Sequence, residues 1–177
     1  YLHVSPKHDR DSWESEIRKN SELLVKTLSD FSIEAKVSMV NRGPVVTLYE
    51  MQLAPGVKVT RVVSLSDDIA MALAASRVRV VAPIPGKSAI GIEVPNQRRE
   101  MVTLGDIIIT PEYHATDMML KVIMGKDILG KPVMLDIKKQ PHLLIAGATG
   151  AGKSVCVNGV IASLVCKYDP NHLRFIM

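Results

Sequence analysis

The chain has 177 residues, 47% hydrophobic and 23% charged, with 22 basic against 18 acidic side chains and a formal charge of +4; this is ordinary globular composition, long enough for one large domain or two small ones. No apolar run approaches the roughly 18 residues that a membrane helix needs, and no basic, apolar, small-residue signal opens the chain, so a soluble segment is expected; only two cysteines occur, which fits a reducing cytosol. An aromatic content of only 4% argues against a surface that stacks nucleic-acid bases.

In chain order, Asp11 or Ser12 can cap a first helix reaching about Ser29, whose apolar stripe is Ile17, Leu23, Leu24 and Leu28. Residues 33–40 and 45–53 are β-branched, partly alternating runs around Asn41-Arg42-Gly43-Pro44, which predicts a hairpin. After Pro55-Gly56, apolar residues recur at helical spacing from Val59 to Leu73, with Asp67 as an alternative start. A second strand pair, 78–84 and 89–94, flanks Pro85-Gly86-Lys87-Ser88. The order helix, hairpin, helix, hairpin predicts an α+β domain whose two hairpins share one sheet with helices on one side. Charge and punctuation change between Asn96 and Asp117, which places the domain junction there and gives domains of 1–117 and 118–177. Arg98 and Arg99 read as an exposed linker face before a phosphate contact.

Charge is uneven. Residues 1–120 hold 14 basic and 15 acidic side chains, a net of −1, whereas residues 121–177 hold 8 basic and 3 acidic ones, a net of +5. A turn-rich stretch, Gly125-Lys126-Asp127-Ile128-Leu129-Gly130-Lys131-Pro132, leads to a short strand at 133–135 and then to the unalternating apolar run 142–146, the pattern of a parallel strand buried on both faces. Lys138 and Lys139, just before that run, are equally suited to phosphate or solvent.

The run opens into Gly147-Ala148-Thr149-Gly150-Ala151-Gly152-Lys153-Ser154, which fits G-x-x-x-x-G-K-[ST] at every required position. An apolar and hence buried helix is expected over 155–168, closed by Asp169-Pro170 before a strand at 173–177, so that the whole forms one βαβ unit. Glycines at these positions let successive amides point inward at a phosphate, the helix N-terminus adds its dipole and free N–H groups, Lys153 adds a full charge, and Ser154 offers a hydroxyl to Mg²⁺. ATP with Mg²⁺ is the ligand such a loop takes. Cys156 and Cys166 would lie about 15 Å apart on one helix, too far for a bridge, and read as small core residues. The five histidines are scattered, and no metal cluster is expected.

The segment from Pro141 to Val155 resembles the nucleotide-binding stretch of the FtsK/SpoIIIE bacterial DNA translocases, and residues 125–133 are similar to the stretch that precedes it there. Pro55-Gly56-Val57-Lys58, Ser66-Asp67-Asp68-Ile69-Ala70, Val81-Ala82-Pro83-Ile84-Pro85-Gly86-Lys87 and Gly91-Ile92-Glu93-Val94-Pro95-Asn96 resemble that family's α domain. The resemblance implies an α/β chain: an α+β domain, then the first part of a RecA-like P-loop ATPase domain with a parallel sheet. It further implies a homo-hexameric ring that threads double-stranded DNA at the cost of ATP during chromosome partition at cell division. Gly147 to Ser154 would be its Walker A loop.

In that family the acidic Walker B strand, the water-activating glutamate and the trans-acting arginine fall beyond the position of Met177, as does a DNA-sequence-reading domain, while a membrane anchor precedes the α domain. The opening on Tyr1 and the closing run Leu173-Arg174-Phe175-Ile176-Met177 fit a fragment of a longer protein. On this reading the segment is cytoplasmic, its parent is anchored in the bacterial inner membrane, and the 177 residues alone are inactive as an ATPase. A small P-loop kinase and a non-catalytic assembly or DNA-clamp module are the alternatives.

Overall fold

The computed structural model describes residues 3–4 and 10–176, the side chains of 10–12 excepted. Among these residues, 10–100 and 128–130 group as one unit, and 3–4, 101–127 and 131–176 as a second.

In the first unit, α1 (Arg10–Asp30) buries Leu24 and Leu28 completely, with Asn20 beside them and Ile17 at the margin, as the stripe predicts. The capping expectation at Asp11 or Ser12 lies outside the described side chains. The helix stops without a glycine. Ser32 takes a left-handed φ of 57°, and the Ile33 and Ser32 amides reach back to the carbonyls of Leu28 and Ser29. This Schellman arrangement satisfies the last carbonyls and drives Ile33 into the core beside Leu28.

Strands β1 (Ala35–Arg42) and β2 (Val46–Leu53) form the first predicted hairpin, closed by Gly43 N–H donating to the Val46 carbonyl at 2.9 Å. The register slips between Val37 and Met39, a β-bulge at which Ser38 Oγ donates to the Glu50 carbonyl. Where one helix from Val59 to Leu73 is expected, two short ones form, α2 (Val59–Val63) and α3 (Ser66–Ala72). Each buries only the part that meets the core: Val62 in α2, Ile69 and Ala70 in α3. Ala74, at φ 50°, ends α3 in the manner of Ser32, with Ala75 N–H reaching the Ala70 carbonyl.

β3 (Arg79–Val81) and β4 (Ile90–Pro95) complete one antiparallel sheet in the order β1-β2-β4-β3, so the two hairpins do share a sheet. Alternation decides its faces. Tyr49 and Met51 of β2 and Ile90, Ile92 and Val94 of β4 join the helices in a single core. The other face carries Leu48, Glu50, Gly91 and Glu93. Glu50 is buried there because Lys87, from the β3–β4 loop, brings its ammonium to 2.7 Å from both carboxylate oxygens and Asn41 Nδ2 donates to one of them at 3.0 Å.

The second unit begins at Met101, within the expected junction of 96–117 but ahead of the boundary drawn at 117/118. Residues 101–117, placed by sequence with the first domain, form α4 (Leu104–Ile108) and α5 (Pro111–Ala115), whose Ile107 and Tyr113 share a small core with Ile123. Thr103 and Asp106 make a reciprocal capping box at α4, and Thr110 caps α5 ahead of Pro111, signals that bind these helices to their own local sequence. β5 (Lys121–Lys126) and β6 (Pro132–Asp136) form an antiparallel hairpin, and α6 (Lys153–Val165) follows a single 3-10 turn, Ile137–Lys139. Both described sheets are antiparallel. The parallel strands expected at 142–146 and 173–177 are not formed among the described residues, and Leu144 is 89% exposed. A doubly buried strand requires neighbours on both edges to take its amides and carbonyls, and no described strand pairs with these segments. Met177 lies outside the described residues. No described helix is long and apolar enough to cross a membrane.

Truncating Lys87 to Met removes the ammonium from a buried carboxylate. Loss of about 1–3 kcal/mol in urea denaturation is expected, with much of it recovered when Glu50→Gln is added, because the cost is that of an unpaired buried charge.

Candidate functional site: the glycine-rich loop before α6

The sequence-predicted site is continuous and lies in the second unit, where all eight residues, Gly147 to Ser154, are exposed. Two glycines are required by conformation: Gly150 and Gly152 have φ of 79° and 90°, values that a side chain disfavours, and an added Cβ at either would meet open space. Gly147 is favoured by crowding instead, since a Cβ there would come to 3.2 Å from that of Ala151, a tight contact. Between them, Ala151 N–H donates to the Ala148 carbonyl at 3.1 Å and turns the chain around Thr149 and Gly150.

Gly152 is the N-cap of α6 and supplies no side-chain cap, and the first turn carries no acidic residue. The first intrahelical bond here runs from Cys156 N–H to the Gly152 carbonyl, so the preceding amides stand at the free, electropositive helix end. Lys153 folds back across the loop, its Nζ donating to the carbonyls of Gly147 at 2.5 Å and Ala148 at 2.9 Å. Ser154 follows on the exposed first turn. An uncapped helix end, open glycines and a cation fit a bound polyphosphate, and the hydroxyl of Ser154 is of the chemistry that a magnesium ion takes.

What holds α6 was not visible as a motif. Ser163 is completely buried and accepts the Ile123 N–H at 3.1 Å, where the β5–β6 register slips, while its own hydroxyl donates to the Gly159 carbonyl at 2.7 Å. Asp136, at the end of β6, accepts the amides of Leu120, Met119 and Lys138 at 3.0–3.2 Å, tying the start of β5 to the 3-10 turn. An Asp two residues before a lysine-rich turn is a weak sign of such an Asx-type anchor.

Other expectations shift. α6 is not buried all round: Ser163 and Leu164 are enclosed, whereas Val155, Val157 and Val165 are exposed. Of the two cysteines read as core residues, Cys156 is half-buried and Cys166 exposed. Of the eight basic residues after position 120, Lys121 is inside, donating to the Tyr113 carbonyl and lying 4.6 Å from that ring's centre. Burial, then the neighbouring Lys167 ammonium, lowers its pKa. Lys138 and Lys139 are exposed, as are Arg98 and Arg99 in the first unit.

Burial alone would raise the Asp136 carboxyl, but the three backbone N–H donors and nearby Lys139 outweigh it and hold its pKa below the ordinary carboxylate range. A depressed folded-state pKa contributes stability above the unfolded pKa of about 4 that is lost as pH falls through the lower folded value. Asp136→Asn should therefore flatten the acid side of the stability curve, read by circular dichroism from neutral pH downward, and leave the alkaline side unchanged.

The family description "FtsK alpha domain" matches residues 1–96, and "FtsK/SpoIIIE family" matches residues 103–177. The DNA translocase FtsK of Halalkalibacterium halodurans is 50% identical over 97% of this chain and 22% of its own length; that of Rickettsia bellii is 47% identical over 96% of this chain and 23% of its own. The chain thus spans about a fifth of the length of these curated relatives. Among solved structures, the ATPγS-bound monomer of the pCW3 conjugation coupling protein TcpA is similar over 83% of this chain and 42% of its own, at a TM-score of 0.35 and 16% identity, a likeness too slight to bear on the fold. The two family matches meet in the few residues around position 100, where the two units also divide, and the chain belongs to the FtsK/SpoIIIE family.

Proposed function

We propose that the parent protein is an ATP-driven translocase of double-stranded DNA and that Gly147 to Ser154 form its nucleotide phosphate site. The observation that carries the site is local. Two left-handed glycines and an uncapped helix end leave α6 with free amides, and the one cation of the loop reaches across it to two loop carbonyls. Family membership and the names of the relatives carry the activity.

In this reading the amides of the loop and of the α6 first turn would hold the β-phosphate, Lys153 would leave its two carbonyls for the β- and γ-phosphates, and Ser154 would hold magnesium through its hydroxyl. When bound, the magnesium neutralises charge on the phosphates. Residues 142–146 would gain strand partners in a RecA-like parallel sheet, for which their unalternating apolar sequence is suited. A homo-hexameric ring, and a membrane anchor elsewhere in the parent that leaves this segment cytoplasmic, complete the proposal.

Asp127, Asp136 and Asp169, the acids after position 120, are each engaged in local turns: Asp127 accepts Lys131 N–H, Asp136 three amides, and Asp169 those of Asn171 and His172. The 177 residues alone accordingly have no oriented water and no turnover in this reading.

Nucleotide titration of the parent tests the site: Lys153→Ala should weaken ATP binding by two orders of magnitude or more, roughly the loss of a charge-assisted contact of about 3 kcal/mol. Equal affinity in variant and wild type would sink the assignment. Duplex binding by the nucleotide-loaded parent should be indifferent to sequence and fall steeply with salt, since phosphate contacts release counterions. A flat salt series would count against DNA as the substrate.

A further inference from the structure

Within the second unit, lysines gather at the end of α6 away from the phosphate loop. Lys167, just past that end and roughly 20 Å along the helix from Lys153, donates from Nζ to the Met118 carbonyl at 2.7 Å and lies 5.1 Å from the centre of the Tyr168 ring. From the 3-10 turn, Lys138 brings its Nζ to 2.8 Å from the Met119 sulfur, and Lys139 beside it is near enough to act on the Asp136 carboxyl. Lys121, where β5 begins, is enclosed with its Nζ on the Tyr113 carbonyl. Four lysines from three segments thus border residues 117–120.

Like charges held this close repel, and the Lys167 ammonium already disfavours the charged form of Lys121. The acids among them are Asp117, which acts on Lys121, and Asp136, whose carboxylate is bonded to the amides of Met119, Leu120 and Lys138. Two carboxylates against four ammoniums leave a positive surface, and a counter-anion relieves the repulsion.

The kind of anion follows from the surroundings. A small free anion is held by converging amides, and here the amides of Met119, Leu120 and Lys138 are taken by Asp136. Lys138, Lys139 and Lys167 are exposed point charges on flexible stems. They suit an extended polyanion that several lysines meet at once. Tyr113 is buried and Tyr168 is half-buried under Lys167, so the aromatic rings of this region are placed to support ammoniums rather than to stack on bases. A duplex offers such a polyanion, with one phosphate charge per about 1.7 Å of its axis.

We infer that Lys138, Lys139 and Lys167 form a contact site for the phosphodiester backbone of duplex DNA, separate from the nucleotide loop. The inference rests on the proposed reading of the parent as a DNA translocase, and it names where on the second unit the duplex is held. On binding, the Lys167 and Lys138 ammoniums exchange the Met118 carbonyl and the Met119 sulfur, a weak acceptor, for phosphate oxygens. Asp136 keeps the loop in place while they do so, because its three bonds are to the backbone.

Duplex binding by the nucleotide-loaded parent over a rising salt series tests the site. Replacing all three lysines by Gln should lower the slope of log affinity against log salt by about 2 to 3, at about 0.9 per phosphate contact, and Lys139→Gln alone by about 1. ATP affinity should stay at the wild-type value. Arg at all three positions should keep the slope, since a phosphate contact uses the charge. Lys126→Gln with Lys131→Gln and Arg174→Gln removes the same charge from the same unit and should change the slope by less than 1. Equal losses in the two Gln triples would reduce the effect to net charge and overturn the site. An unchanged slope in Lys139→Gln and in the lysine triple, with normal wild-type binding, would overturn it while the translocase reading stands; a wild-type parent that binds no duplex would overturn both.

Discussion

Every buried backbone N–H and carbonyl has to find a partner, and the two units meet this constraint by different means. In the first, β2 and β4 are central strands, paired on both edges by β1, by each other and by β3. Once that ladder is in place, pleating sends Tyr49, Met51, Ile90, Ile92 and Val94 to the helix side and commits Glu50 and Glu93 to the other. The carboxylates then need cations: Lys87 meets Glu50 closely, and Arg79 stands 3.8 Å from Glu93. The polar chemistry of the outer face is thus a consequence of strand register.

Among its described residues the second unit has a two-stranded hairpin, with one outer edge on each strand. Side chains take over part of the pairing there. Ser163 receives the Ile123 amide, Asp136 collects three amides, and Lys121 and Lys167 cover the carbonyls of Tyr113 and Met118. α6 is therefore fastened near its C-terminal half, where Ser163 and Leu164 are buried, and its N-terminal turn is left exposed with the loop. A rigid helix anchored at one end and uncapped at the other presents free amides where an anion can reach them. The fold provides that asymmetry before any ligand is considered.

Cations that meet buried groups play three roles across the chain. Lys87 is paired at hydrogen-bond distance and stabilises a carboxylate; Lys121 is spent on a carbonyl and an aromatic face, which removes it from the basic surface that composition suggests. Arg42 is shared at longer range between Glu16 and Glu100. Charge counting cannot separate these, because the difference lies in distance and burial.

The sequence alone determined the features that depend on near neighbours. The phosphate loop was legible because its conformation rests on glycines a few residues apart, and both hairpins of the first unit were legible because alternation and turn residues are local. The family was legible in short runs spread over nearly the whole chain. Tertiary structure decided the rest. α1 and α3 end at Ser32 and Ala74, which carry no glycine signal and adopt left-handed angles so that Ile33 can enter the core and Ala75 can reach the Ala70 carbonyl. Residues 101–117 joined the second unit because Ile107 and Tyr113 found Ile123, a partner that no local pattern announces. The role of Ser163 was invisible for the same reason, and that of Asp136 only faintly marked, since each answers a backbone donor 16 to 40 residues away. Apolar run 142–146 has the composition of a buried strand, but a strand is a property of a sheet, and composition cannot supply the neighbour that pairs with it.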